Sequence, residues 1–450
     1  MLDGPLLPSI IEYTIPIILT SVLQLLFNAA DMVVVGRYCG SISVAAVGAT
    51  GSLTMLIVNL FIGLSVGTGV TVAHAIGAGE SENVSKTVHT TIPAAIFSGV
   101  VLTVIGIVFS EDMLKLMDTP DNVLPLSSLY MEIYFGGIIF TMLYNFCSSI
   151  LRAVGDTKSP LVALSIAGIL NVLFNLLFVI VFHMNVAGVA LATVISQALS
   201  AVLVIIALMR RTDACRLVLR RIHIHMPQLM KIIRIGVPAG INGSLFAISN
   251  VIIQSSVNSF GDILMSGNAA AGNLEGFVYV GISAFAQTST NFIGQNKGAG
   301  QYKRVLKTLL ICFACVTVVE VASGIIAYLF APTLLSLYIT DSSEAISYGI
   351  LRMTWICLPY FLCGLMEATT GALRGMGASV TPMLVSVLGV CGFRIVWIYT
   401  IFQQPQYHTP KSLYISYPIS WTITFVIEFA VFIVIYRRQL KRCNAQKLMN

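Results

Sequence analysis

The sequence predicts an all-α membrane protein with twelve transmembrane helices, arranged as two six-helix lobes that are related by a parallel internal repeat. Hydrophobic residues make up 57% of the chain and charged residues only 10%, whereas soluble domains carry about 25% charged residues. Apolar runs of spanning length recur along the chain, and a helical bundle satisfies their backbone in lipid. Sequence patterns of the first half also return in the second half.

The apolar runs define the predicted helices one by one. No stretch is typical of a cleaved signal peptide, because the N-terminus lacks a basic flank and the first apolar run is long enough to span a bilayer. The predicted spans are 10–35, 44–75, 88–110, 127–150, 160–182, 186–209, 230–257, 266–293, 305–330, 350–373, 380–403 and 414–436.

Lysine and arginine are distributed unevenly between the connections. If the N-terminus is cytoplasmic, nearly all of the 25 basic residues lie in cytoplasmic connections or the C-terminal tail. The opposite side holds only Arg37, Lys115, Arg352 and Lys411, and Arg394 lies within a span. Cytoplasmic loops are enriched in these residues, so both termini are predicted to be cytoplasmic. This placement also accounts for the net charge of +6, and a nucleic-acid partner is not expected.

Three patterns carry the internal repeat. The motif LRxxGxxxxP at residues 151–160 recurs at 373–382, and Gly-Ala-Gly at 77–79 recurs at 298–300. Pro16 recurs 222 residues later as Pro238. Because each copy contains an even number of helices, both copies enter the membrane in the same sense.

The repeat divides the chain into four parts. Residues 1–209 form an N-terminal six-helix lobe and residues 230–436 a C-terminal one, with a basic cytoplasmic linker at 210–229 and a basic cytoplasmic tail at 437–450. Arginine at a helix end, glycine in the turn and proline in the next helix explain the LRxxGxxxxP motif as architecture.

The first predicted span carries a polar stripe. Gln24, Asn28 and Asp31 are spaced so that they share one helix face. An acid near the middle of a span costs roughly 2.5 to 3.5 kcal/mol on insertion, and such an acid commonly marks an ion or proton site. A packing role, or a position facing a water-filled cavity, is the alternative.

No catalytic group is predicted. The histidines form no HExxH motif, a Gly-rich phosphate loop is lacking, and most of the nine cysteines lie in apolar spans. We therefore expect neither an enzyme nor a bound cofactor.

The chain resembles the multidrug and toxic compound extrusion (MATE) transporters over essentially its whole length. The resemblance rests on Asp31-Met-Val-Val-Val-Gly36, the Gly-Ala-Gly segments, Gly294-Gln295-Asn296-Lys297-Gly298-Ala299 and the paired LRxxGxxxxP connectors. It implies a V-shaped, monomeric, multi-pass protein of a prokaryotic cell membrane. It also implies alternating access, with export of amphipathic, often cationic compounds in exchange for protons or sodium ions.

The resemblance also implies site residues in the N-terminal lobe. Gln24 and Asp31 match the family's ion-coupling pair, and Asn171 and Thr193 match residues of the same pocket. The family often has an aspartate where this chain has Asn175. One carboxylate instead of two weakens the attraction for sodium, so proton coupling is favoured, although Asp31, Asn171, Asn175 and Thr193 still offer oxygen ligands for sodium.

The C-terminal lobe is predicted to supply substrate or cavity residues. Asp31 has no acid at its repeat-equivalent position, which falls near Ile253. Family members place C-lobe acids on helices 7, 8 or 10, which favours Glu275 and Glu367, whereas Glu320 and Glu428 are interpreted as structural. The full set of predicted cavity residues is Asn28, Asn250, Gln254, Glu275, Glu367, Tyr144, Phe277 and Tyr360.

Other functions stay open at this stage. A flippase of the same superfamily, carrying a lipid-linked precursor, is the main alternative, and such proteins tend to have a strongly basic cavity. A major-facilitator transporter also has two six-helix halves, but Gly77-Ala78-Gly79-Glu80 stands where its basic motif belongs. The expected partners are small amphipathic substrates and the lipid bilayer.

Overall fold

The computed structural model describes residues 1–117, 119–339 and 342–449, and these residues form helices and turns without any strand. The helices are α1 (Leu6–Tyr38), α2 (Ser41–Gly77), α3 (Ser81–Leu116), α4 (Leu124–Gly136), α5 (Ile138–Val154), α6 (Lys158–Leu176), α7 (Asn185–Met209), α8 (Met226–Asn258), α9 (Asp262–Gly298), α10 (Tyr302–Leu329), α11 (Ala331–Ser336), α12 (Ser343–Ile356), α13 (Tyr360–Gly375), α14 (Val380–Ser386), α15 (Phe393–Tyr399) and α16 (Pro410–Met449).

The helices account for the twelve predicted spans. Within the described ranges, nine are long and apolar enough to cross a membrane, and two bent pairs raise this number to eleven. The pairs are α4 with α5 and α12 with α13, each bent by 47°. The remaining predicted span, 266–293, falls on α9, whose 37 residues include a buried polar run, Thr288–Asn291. The predicted twelve-helix membrane fold is therefore confirmed.

The internal repeat is visible in the helix lengths. Helices α1 and α8 have 33 residues each and contain Pro16 and Pro238, respectively. Helices α2 and α9 have 37 residues each and follow Gly40 and Gly261, whose φ angles are 86° and 93°. Only glycine adopts such angles without strain.

The residues separate into two compact units. The first unit is Ile15–Ser244, and the second combines Met1–Thr14 with Leu245–Asn450. Both boundaries lie inside long helices, α1 and α8. The compact units therefore differ from the predicted lobes, because the first part of α1 belongs to the second unit and the first part of α8 belongs to the first unit.

Glycines bring two helices of the first unit into backbone contact. A Cβ atom at Gly63 of α2 would lie 2.2 Å from the backbone nitrogen of Gly240 in α8, and one at Gly67 would lie 2.3 Å from the carbonyl oxygen of Ile232. Small residues permit this close approach, which is the usual way in which membrane helices pack tightly.

The linker between α7 and α8 is anchored to the first unit. Cys215 and Leu217 are buried in an apolar cluster with residues of α3, α5 and α7. The backbone N–H of Val218 donates to His89 Nε2 over 3.1 Å, and that of His225 donates to Thr90 Oγ1 over 3.0 Å. The arginines of this segment, such as Arg220, are exposed.

Candidate ion and substrate sites

A carboxyl group on α1 lies at the centre of the first candidate site. Asp31 is partly buried, and Asn175 of α6 donates a hydrogen bond from Nδ2 to its Oδ1. Among the described residues, no lysine, arginine or histidine forms an ion pair with Asp31. The carboxylate is therefore held by a neutral donor, and its charge stays uncompensated by the protein.

Two more side chains extend this contact into a chain of hydrogen bonds. Asn175 Nδ2 also donates to Asn171 Oδ1 over 3.3 Å, and Asn171 Nδ2 donates to Thr193 Oγ1 over 3.5 Å. Thr193 donates to the carbonyl oxygen of Val189, 3.0 Å away. Asn171 and Asn175 are buried, as the one-turn spacing on α6 requires if both face the same neighbours. Four predicted residues thus meet at one place.

An apolar cluster lies next to these polar groups. Val34, Val35, Val179 and Val189 are its buried members, and Tyr130 of α4 packs against them. Val35, Val179 and Val189 each lie one helical turn from a residue of the polar chain. The polar chain therefore borders on hydrocarbon, where electrostatic interactions are stronger than in water.

The packing between α1 and α6 uses an aromatic ring on a glycine. A Cβ atom at Gly168 would lie 1.8 Å from the ring of Phe27, so only glycine fits beneath this ring. After Asn175, the helix continues as a π-helical turn, Leu177–Val181. Such turns occur frequently at functional sites, because they change the direction of side chains.

Asn175 retains an unused acceptor. Its Oδ1 is buried and receives no hydrogen bond from the described residues. Together with the oxygens of Asp31, Asn171 and Thr193, it makes an oxygen-only donor set of the type that hard cations prefer. The residues fit a monovalent cation or a proton. No cluster of three or more histidine, cysteine, aspartate or glutamate side chains suited to a metal occurs in the described ranges.

The other two residues of the α1 stripe lie outside the hydrogen-bond chain. Gln24 and Asn28 are exposed on the unit. On α1, Asn28 lies about one turn and Gln24 about two turns before Asp31. Neither side chain forms a hydrogen bond with Asn171, Asn175 or Thr193 in the structure.

A second polar network lies in the C-terminal unit. Glu275 of α9 accepts hydrogen bonds on Oε2 from Arg352 Nη2 at 2.6 Å and Nε at 3.1 Å, and it accepts one on Oε1 from the Tyr360 hydroxyl at 2.7 Å. The side chains of Glu275 and Arg352 are only 14% and 12% exposed. This geometry is a buried, charge-assisted ion pair.

Amides continue the network towards α8. Arg352 Nη1 donates to Asn268 Oδ1 over 2.6 Å, and Tyr414 donates to the same oxygen over 3.1 Å. Asn268 Nδ2 donates to Gln254 Oε1 over 3.1 Å, and Gln254 Nε2 donates to Asn258 Oδ1 over 2.8 Å. The network therefore runs from a buried ion pair to exposed amides on α8.

The remaining predicted cavity residues are dispersed. Glu367 is half-buried and has no hydrogen-bond partner in the described ranges, and Asn250 is exposed on α8. Phe277 is exposed on the unit, whereas Tyr360 is buried against Glu275. Tyr144 is buried in the apolar cluster beneath the linker.

Two further acids are embedded in the C-terminal unit. Glu428 of α16 accepts a 2.8 Å hydrogen bond from each of Thr370 and Ser386. Glu320 of α10 is fully buried against Gly281, and neither carboxylate oxygen has a partner among the described residues. Unpartnered burial of a charge is costly, so Glu320 is expected to be neutral.

Sequence reasoning missed the partners of Glu275. Arg352 was assigned to a connection on the non-cytoplasmic side, but it lies inside α12 with its side chain paired to α9. Asn268 and Tyr414 were not singled out either. The signal available was a basic residue inside the predicted span at 350–373, because a charge at the depth of the lipid needs a partner.

Twelve membrane spans, two repeated halves and an embedded carboxyl group that pairs with no basic residue in the described ranges are typical of a polytopic membrane transporter. The MatE family model matches residues 16–177 and 238–400. The chain belongs to the MatE family, whose members are transporters and not enzymes.

Individual relatives and solved structures agree with this family. The chain is 26% identical over 436 residues to the probable multidrug resistance protein YoeA of Bacillus subtilis, which covers 95% of this chain and 93% of the relative. It is 21% identical over 393 residues to the multidrug export protein MepA of Staphylococcus aureus, with 85% of each chain covered. A MOP superfamily transporter from Pyrococcus furiosus has the same fold, with a TM-score of 0.91, 21% identity and 97% of each chain covered.

Proposed function

We propose that this MatE family protein exports amphipathic, often cationic compounds by alternating access, in exchange for protons or, as the alternative ion, sodium. The hydrogen bond from Asn175 to Asp31 is the observation that carries the proposal. It supports a site at which a single embedded carboxyl group exchanges an ion. The names of YoeA and MepA, a multidrug resistance and a multidrug export protein, favour drug-like substrates.

The chemistry of Asn175 favours the proton over sodium. An amide offers both donors and an acceptor, so it pairs with an ionised Asp31 through Nδ2 and with a protonated Asp31 through Oδ1 after a half-turn. The site thus remains hydrogen-bonded in both protonation states. A sodium ion would find one formal charge and neutral oxygens, which is a weaker set than two carboxylates.

Transport in proteoliposomes tests this proposal. Purified protein is reconstituted, ethidium movement is followed by fluorescence, and a pH gradient and then a sodium gradient are imposed. We expect movement driven by the pH gradient in the wild type and none in Asp31→Asn. Glu132→Gln, which neutralises an exposed acid on α4 of the same unit, is the matched control and should keep most of the activity. Wild-type transport by Asp31→Asn would overturn the proposal, and lipid scrambling without ion coupling would favour the flippase alternative.

The proposed topology places both termini in the cytoplasm of a monomeric cell-membrane protein. Cys39 follows α1 and Cys443 lies near the end of α16, and both thiols are partly exposed. A membrane-impermeant maleimide added to intact cells should label Cys39 and leave Cys443 unlabelled until the cells are opened. The reverse pattern would invert the proposed orientation.

A further inference from the structure

An arginine in the C-terminal unit is buried without a counter-charge. Arg394 of α15 is only 3% exposed. Its Nε donates to Ser420 Oγ over 3.1 Å, and this is its single hydrogen bond to the described residues. A guanidinium group has five N–H donors and remains charged at any physiological pH. Most of the donors of Arg394 therefore have no acceptor among the described residues.

Two acids of this unit have partners other than Arg394. Glu275 is held by Arg352 and by the Tyr360 hydroxyl, and Glu428 accepts from two hydroxyl groups.

Two more acids of this unit, Glu320 and Glu367, have no hydrogen-bond partner among the described residues. Neither of them contacts Arg394, since within the described ranges no carboxylate forms an ion pair with this arginine. None of these acids therefore neutralises Arg394 through a direct contact.

Aromatic rings hold the guanidinium group in place. Its central carbon lies 3.9 Å from the ring centroid of Tyr417 and 5.8 Å from that of Trp421. Cation–π contacts of this kind stabilise the charge at the faces of the rings. They leave the N–H groups at the edge of the guanidinium plane free to bind an acceptor.

The rings continue from Arg394 to the surface of the unit. Trp421 contacts Tyr360 edge-on with centroids 5.3 Å apart, and Tyr360 contacts Tyr279 at 6.3 Å. Tyr279 is 41% exposed, whereas Tyr360 and Trp421 are buried. We name Tyr279, Tyr360, Tyr417 and Trp421 the aromatic cluster. It connects an exposed ring to an uncompensated cation.

We propose that Arg394 and the aromatic cluster form a binding subsite for aromatic anions, with the carboxylate of the ligand on the guanidinium group and its rings against the cluster. Arginine binds planar carboxylates through two parallel hydrogen bonds, and aromatic rings favour flat apolar ligands. The inference rests on the proposed function only in treating the ligand as a transported compound. The binding itself requires no ion gradient.

Equilibrium binding of two xanthene dyes tests the subsite. Protein in lipid nanodiscs is titrated against fluorescein, which is anionic, and against rhodamine 6G, which has a related ring system and is cationic, and fluorescence anisotropy is recorded. We expect Arg394→Gln to weaken fluorescein binding about tenfold, since it removes a charge-assisted pair, while rhodamine 6G binding changes less than about twofold. Arg394→Lys should retain part of the fluorescein affinity, and Arg220→Gln, at an exposed position, should leave both affinities unchanged.

Two outcomes would overturn the subsite. Unchanged fluorescein affinity in Arg394→Gln would show that the ligand does not reach Arg394, and an equal loss of both dyes would assign Arg394 a purely structural role. If Arg394→Gln does not yield monodisperse protein, a competition experiment on the wild type replaces the comparison of variants. Benzoate and benzylamine are then compared for their ability to displace bound fluorescein. Preferential displacement by benzoate supports the anion subsite, and equal displacement contradicts it. Because no transport is measured, a failure of ion coupling does not affect this result.

Discussion

Asn175 donates a hydrogen bond to Asp31 across 144 positions of the chain. The two residues come from α6 and α1, and their contact is the point at which the polar stripes of both helices meet. An amide in this place keeps the site at a single formal negative charge. The identity of residue 175 is therefore expected to decide which ion the site prefers.

We predict that Asn175→Asp increases the affinity for sodium. A second carboxylate beside Asp31 adds a charged oxygen ligand, and in a poorly screened site we expect roughly a tenfold gain in apparent sodium affinity. Sodium-dependent thermal stabilisation of the purified protein measures the gain, with potassium at equal ionic strength as the control. Asn145→Asp, on another helix of the same unit, is the matched variant and should show no sodium effect.

An unchanged sodium response in Asn175→Asp would contradict the assignment of this position to the ion site. Loss of the folded protein in this variant would not contradict the assignment, because two neighbouring carboxylates repel each other when both are ionised. In that case, lowering the pH should restore the stability by protonating one of the two carboxylates. The thermal stability of Asn175→Asp as a function of pH then reports the repulsion between them.

Local patterns were sufficient to predict much of the site in the first unit. Spacing alone placed Asn171 and Asn175 on one face of their helix, and the polar stripe identified Asp31 as an embedded acid. Gln24 and Asn28 belong to the same stripe, yet the structure leaves them outside the hydrogen-bond chain. Periodicity defines a helix face, but the tilt and depth of the neighbouring helix decide which turn of that face is covered.

The sequence does not identify which residue pairs with Glu275 in the second unit. Arg352 and Glu275 are separated by 77 positions, and no spacing rule connects two residues so far apart. Helix α9 also carries enough buried polar side chains that composition alone does not identify it as a span. Its polar groups are satisfied by neighbouring helices, which a single sequence does not reveal.

We predict that Glu275→Gln destabilises the protein. The substitution leaves Arg352 buried without its counter-charge, and breaking a buried pair in this way costs about 3–5 kcal/mol. The double variant Glu275→Gln, Arg352→Gln should recover part of the loss, because neither charge is then left alone. Thermal unfolding in detergent measures both effects.

The same variants separate a structural role of Glu275 from a role in coupling. A structural pair predicts low stability for Glu275→Gln and partial recovery in the double variant. If Glu275→Gln kept wild-type stability but lost ion-driven transport, Glu275 would instead act in transport, in line with its prediction as a cavity residue.

We predict that Gly63→Ala disrupts the contact between α2 and α8. The new Cβ atom would lie 2.2 Å from the backbone of Gly240, so the helices must separate. Overpacking of this kind costs about 1–3 kcal/mol. Gly48→Ala in the same helix is the matched control, since nothing lies within 4 Å of its Cβ position. Thermal unfolding should show a lower transition temperature for Gly63→Ala and a nearly unchanged one for Gly48→Ala, and equal transitions would contradict the close approach.

Linker docking is predicted to weaken in mild acid. Loss of solvation, with the nearby positive charges of His223 and Lys86, lowers the pKa of His225 from its usual value of 6.5. The docked linker therefore favours neutral His225. This contribution to docking is present above pH 6.5 and is lost as the pH falls through the lowered pKa.

Hydrogen–deuterium exchange of the segment 215–225, corrected for the intrinsic effect of pH on exchange, measures this docking. We expect several-fold faster exchange at pH 5.5 than at pH 7.5 in the wild type. His225→Gln removes one titrating group and should reduce this pH dependence, whereas His183→Gln, at the opposite end of the same unit, should leave it unchanged. Protection that is independent of pH in the wild type would rule out proton-linked docking. The burial of Cys215 and Leu217 and the backbone hydrogen bonds of the linker would then account for its docking.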